Sequence, residues 1–84
     1  MFKVRFHKKV FKDLDNLPEN EVERIAKQIE TLKTNPFPPG FKKLSGKDGI
    51  YRIRQGNYRV VYSADQKEKE VIIWAIRHRK DIYR

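Results

Sequence analysis

Hydrophobic and polar residues alternate at the start of the chain, where Phe2, Val4 and Phe6 are separated by Lys3 and Arg5. That is the period of a half-buried strand, and it predicts one over about residues 2–7. The period then changes. Val10, Phe11, Leu14 and Leu17 fall at i, i+1, i+4 and i+7, a narrow helical stripe that must stop before Pro18. Val22, Ile25, Ala26, Ile29 and Leu32 follow at i, i+3, i+4, i+7 and i+10. They predict a second helix over about 18–33, with Glu19, Glu21 and Glu23 at the end where the helix dipole favours negative charge and Lys33 at the other. The segment 35–40 holds three prolines and reads as a connector, because each proline removes a donor and pushes its predecessor toward extended geometry. From there the period is two, with turn residues at Gly46, Gly49 and Gly56 and a polar loop over 65–70. Three strands are expected, over 50–55, 58–63 and 71–77. The predicted class is therefore α+β: a strand, two N-terminal helices, then an antiparallel sheet of three further strands in one domain spanning 1–84.

Gly56-Asn57 between two alternating runs signals a two-residue hairpin, with Gly able to take the positive φ of a II′ turn. That turn fixes a register. If Gln55 faces Tyr58, then Arg54 faces Arg59, Ile53 faces Val60, Arg52 faces Val61 and Tyr51 faces Tyr62. Tyr51, Ile53, Val60 and Tyr62 share an apolar face for the helices to cover, and Arg52, Arg54 and Arg59 gather on the other. Like charges directly opposite on a sheet are destabilising, by up to about 1 kcal/mol. A solvated outer face is the plain reading of such charges. An anion site is the functional one, since guanidinium groups present planar forks of donors matched to phosphate oxygens.

Charge strengthens the second reading. The chain of 84 residues carries 20 Lys and Arg against 11 Asp and Glu, a net charge of +9, which points to an anionic partner, most commonly nucleic acid. Residues 1–33 contribute +2 of this and residues 34–84 contribute +7, so the basicity lies in the sheet half. A heat-adapted surface would explain many charges but not the excess of one sign. Cysteine is absent, so neither a disulfide nor a thiolate zinc site is available to staple the fold. The longest apolar run, 71–76, is far short of the roughly 20 residues a membrane helix needs. The N-terminus also lacks the apolar stretch of a secretory signal, and a cytoplasmic protein is expected.

The chain closes on Arg77-His78-Arg79-Lys80-Asp81-Ile82-Tyr83-Arg84. The last strand should run antiparallel to its predecessor, which brings this basic end near Tyr58, Arg59 and the hairpin arginines. Together with Lys43-Leu44, Gly46, Gly49, Tyr51-Arg52-Ile53-Arg54 and Gly56-Asn57-Tyr58-Arg59-Val60-Val61-Tyr62, this segment resembles the RelE/ParE toxin superfamily of type II toxin–antitoxin systems. The likeness spans nearly the whole chain, and the tail favours the RelE-like branch.

The resemblance implies a RelE-like fold and a ribosome-dependent endoribonuclease, needing no metal or other cofactor, that cuts mRNA in the A site. There the 2′-hydroxyl attacks the adjacent phosphate and leaves a 2′,3′-cyclic phosphate and a 5′-hydroxyl. It also implies a neutralising antitoxin, encoded beside the toxin, as partner alongside the ribosome and mRNA. The family's basic hairpin positions match Arg52 and Arg54, its next-strand arginine matches Arg59, and its tail arginine matches Arg79, with Arg77 the alternative. Its terminal tyrosine matches Tyr83. Arg77, His78, Lys80 and Arg84 are the expected further RNA-binding residues. The best-known RelE enzymes carry lysines where this chain has Arg52 and Arg54, and arginine cannot accept a proton. Tyr83 and His78 are then the two candidates for the general base. Two alternatives stand beside this reading: a ParE-like gyrase poison without nuclease activity, and a non-catalytic basic RNA-binding module.

The remaining features are weaker. His7 and His78 lie on different strands with no further ligand in motif spacing, so no metal site is expected. Tyr58 reads equally as a stacking or a half-buried structural residue. Trp74 and its neighbours read as core, their outer strand face being available to an antitoxin. Lys8, Lys9 and Lys12 read as a solvated helix face within reach of ribosomal RNA.

Overall fold

The computed structural model of the protein describes residues 1–44, 46 and 49–78. The expected site residues Arg79, Lys80, Tyr83 and Arg84 therefore lie outside the described residues. The elements are β1 (Lys3–Phe6), α1 (Lys8–Asp15), α2 (Glu19–Thr31), β2 (Lys42–Lys43), β3 (Ile50–Gln55), β4 (Tyr58–Asp65) and β5 (Glu70–His78). The two helices start as their sequences dictate. His7 caps α1, its Nδ1 accepting from the Lys9 N–H at 3.2 Å, and this gives the first histidine a structural role. Pro18 precedes α2 and its carbonyl takes the Glu21 and Val22 N–H groups, while Glu19 and Glu21 occupy the first turn.

The strands form one five-stranded mixed sheet in the order β1-β5-β4-β3-β2. β1 lies parallel to β5 and the other neighbours are antiparallel. Both helices pack on one face. Val10, Ile25, Ile29 and Leu32 from the helical side meet Ile53, Val60, Tyr62, Val71, Ile73 and Ile76 from the sheet, and these form the core. The connector after α2 is held rather than loose. The Tyr62 hydroxyl donates to the Pro36 carbonyl at 2.6 Å, and the rings of Phe37, Phe41 and Tyr51 meet at 5.2–5.8 Å between centroids. Burial, followed by the Tyr51 phenol beside it, raises the Tyr62 pKa well above its ordinary value, so this hydroxyl stays protonated and donating.

Two expectations need correction. Trp74 is not core: the β4–β5 register steps from Val61 opposite Ala75 to Tyr62 opposite Ile73, which leaves Trp74 in a bulge. It is 38% exposed, and its Nε1 donates to the Ser63 hydroxyl at 2.9 Å. Phe6 and Phe11 are also largely exposed, their rings 5.9 Å apart beside an apolar groove of about 190 Å³ between the helices. A two-turn helix can bury only one narrow line of residues, and in α1 Val10 takes it.

Candidate functional site

Every pair of the hairpin register reads as the turn dictates: Gln55 faces Tyr58, Arg54 faces Arg59, Ile53 faces Val60, Arg52 faces Val61 and Tyr51 faces Tyr62. Of the two turn residues only Gly56 has positive φ, at 61°, as a II′ turn requires. Residues flanking a two-residue turn form a hydrogen-bonded pair, so strand alternation makes Arg54 and Arg59 a non-hydrogen-bonded one. Side chains approach most closely at such pairs, whose Cα atoms are typically about 4.5 Å apart.

β5 extends this arrangement. Arg77 lies opposite Arg59, so Arg54, Arg59 and Arg77 form a row across three adjacent strands on the face turned away from the helices. A second row beside it runs Lys42, Arg52, Val61, Ala75. Arginines and a lysine thus border the small apolar side chains of Val61 and Ala75. None of the five cations forms an ion pair among the described residues; the ion pairs found there are Arg5–Glu70, Arg24–Glu21 and Lys33–Glu30.

The electrostatic consequence is visible at Arg52. Burial, then repulsion from Arg54 and from Arg59, lowers its pKa below the ordinary arginine value. Arg59 is more telling. Its Nε is buried and has no hydrogen-bond partner among the described residues. A buried donor without a partner costs about 1–3 kcal/mol, and a guanidinium is a charged one. An oxyanion that reaches it as the covering side chains shift would satisfy it.

The structure does not bring all expected residues together. His78 faces Tyr58, their rings 5.2 Å apart and nearly perpendicular. Alternation puts that pair on the face opposite Arg59 and Arg77, where His78 borders a concavity with Asp13, Asn16, Leu17 and Tyr58. Tyr58 is half-buried there. Lys8, Lys9 and Lys12 lie on or near the exposed side of α1. Lys42 is the cation that sequence reasoning missed. A two-residue strand carries no legible period, and only its pairing with β3 places Lys42 opposite Arg52.

Fold and site together define a small basic α+β protein whose sheet carries, on the face turned from the helices, a row of arginines with no ion pair among the described residues. A family model described as the ParE toxin of the type II toxin–antitoxin system parDE matches residues 4–83. The candidate toxin RelE1 of Methanocaldococcus jannaschii is 41% identical over 86 residues, covering 99% of this chain and 96% of that one. Toxin RelG of Mycobacterium tuberculosis is 30% identical over 84 residues, with 99% and 97% covered. In the archaeal RelE–RelB complex from Pyrococcus horikoshii, a chain of 34% identity superposes with a TM-score of 0.83 over 93% of this chain and 94% of that one. The chain belongs to the RelE/ParE family of type II toxin–antitoxin toxins.

Proposed function

We propose that the protein is a ribosome-dependent endoribonuclease that cuts mRNA by attack of a 2′-hydroxyl on the adjacent phosphate. The new 2′ O–P bond forms as the P–O5′ bond breaks, giving a 2′,3′-cyclic phosphate and a 5′-hydroxyl, with no water or metal consumed in the step. The observation that carries this reading is the Nε of Arg59, buried in the middle of the arginine row and without a partner among the described residues. Charge develops on the non-bridging oxygens in the transition state, and donors fixed beforehand stabilise it without reorganising. Arg52, Arg54 and Arg59 supply that stabilisation, with Arg77 or Arg79 as the tail arginine. One group must take the 2′ proton and one must return a proton to O5′. Arginine does neither. The face on which His78 sits favours Tyr83 for this work.

Arg59→Ala is expected to lose on the order of a hundredfold in single-turnover cleavage of ribosome-bound message, the scale of deleting one oxyanion donor. Unchanged cleavage by that variant would overturn the assignment. The relatives solved as RelE–RelB complexes support a neutralising antitoxin as partner, and co-expression with an adjacently encoded acidic, helical protein should relieve toxicity. The ParE description of the matching family model favours one second reading, a gyrase poison. Trapped gyrase–DNA complexes in place of cut message would establish it.

A further inference from the structure

The free edge of β3 beyond the end of β2 borders a concavity of about 280 Å³ that shares Arg52 and Arg54 with the arginine cluster. Gln28 of α2, the bend at Pro38 to Gly40, and Lys42, Arg52 and Arg54 line it. The Leu44 N–H donates to the Ile50 carbonyl at 2.9 Å, so the residues of β3 whose backbone groups point toward β2 are Ile50, Arg52 and, by alternation, Arg54. β2 stops at Lys42, and the preceding Phe41 N–H turns back to the Pro38 carbonyl at 3.0 Å. β2 pairs only with Tyr51 and Arg52, and outside the strands no described backbone carbonyl takes up the Arg54 N–H. One unpaired backbone donor, one lysine and two arginines therefore line this concavity together with Gln28.

We propose that this concavity is a second phosphate subsite, holding through Lys42, the Arg54 N–H and Gln28 a backbone phosphate of the RNA next to the one cut at Arg59. The inference rests on the reading of the chain as an RNA-cleaving toxin. Its donors are all of the kind that bind phosphate oxygens. An added peptide strand is the poorer occupant, since the free edge covers only residues 53–55 and faces two prolines. A strand running from the arginine row to this edge would have one phosphate held for cleavage and a neighbour held for position.

The test compares the wild type with Lys42→Ala, Gln28→Glu and Lys67→Ala, the last removing one exposed charge from the β4–β5 turn. Binding of a labelled single-stranded RNA is read by fluorescence anisotropy across a salt series, and cleavage of ribosome-bound message by single-turnover titration. Lys42→Ala should weaken RNA binding roughly two- to fivefold. It should also reduce the slope of log affinity against log salt by about 0.7, one phosphate contact on a single strand. Gln28→Glu should weaken binding without loss of a cation, and Lys67→Ala should leave it alone. In cleavage, the half-saturation concentration rises for the first two variants while the maximal rate holds. Unchanged binding in Lys42→Ala and Gln28→Glu overturns the subsite, as does equal weakening by Lys67→Ala, a fall in maximal rate alone, or equal Lys42-dependent binding of an acidic peptide. If the wild type binds RNA through Lys42 but cuts no message, the functional reading fails and the subsite stands.

Discussion

Arg54, Arg59 and Arg77 oppose one another directly across three strands, and nothing acidic among the described residues offsets them. Repulsion of this kind costs up to about 1 kcal/mol per opposed pair. Arg54→Thr should therefore raise the urea midpoint by the equivalent of a few tenths to about 1 kcal/mol while lowering cleavage, and a lowered midpoint would count against stored repulsion. Tyr62 is the opposite case, a residue tuned for the fold. Its pKa in the folded protein is raised above the ordinary value of 10.0. The stability this group contributes is thus fully present below pH 10 and is lost as pH climbs toward the folded value, because the unfolded phenol releases its proton first. Tyr62→Phe should cost about 1 kcal/mol at pH 8, from the lost bond to the Pro36 carbonyl, and the gap to the wild type should narrow at pH 11 in parallel urea titrations. The arginines were legible residue by residue, since a two-residue turn fixes which side chains oppose. Lys42 was not, because its position depends on a strand pairing that no local pattern announces.

Secondary-structure elements were legible where they were long or bounded by a turn. The helix over Glu19–Thr31 is 13 residues long with an apolar line along it, and the β3–β4 hairpin has its register set by Gly56-Asn57. Gly56 sits at φ 61°, where a Cβ is strained. Gly56→Ala should destabilise by about 1 kcal/mol, measured as a drop in urea midpoint, and an unchanged midpoint would mean that the turn relaxes to another type. Two features escaped. β2 is too short to show a period, and the bulge that exposes Trp74 follows from how β5 meets β4 rather than from its own uniformly apolar run. Such a run is compatible with either face, so its sequence cannot say which side chain is displaced.

For the whole molecule, an anion held between the arginines should stabilise the folded state by mass action, since the unfolded chain has no such site. The thermal midpoint should rise more in phosphate than in chloride at equal ionic strength, and Arg59→Ala should abolish the difference. An equal rise in both salts would reduce the effect to general screening. The sequence by itself determined the α+β class, the two helices, the hairpin register, the arginine cluster on one side of it and the family resemblance. All of these are set by periodicity, by one turn, or by motifs contiguous in the chain. The tertiary structure alone decided that β1 runs parallel beside β5 and that Arg77 joins the row while His78 turns to the other face. It also brought Lys42 opposite Arg52 and left the Arg59 Nε buried without a partner among the described residues. These depend on pairing between segments far apart in sequence, where burial and register are properties of the assembled sheet rather than of any strand in it.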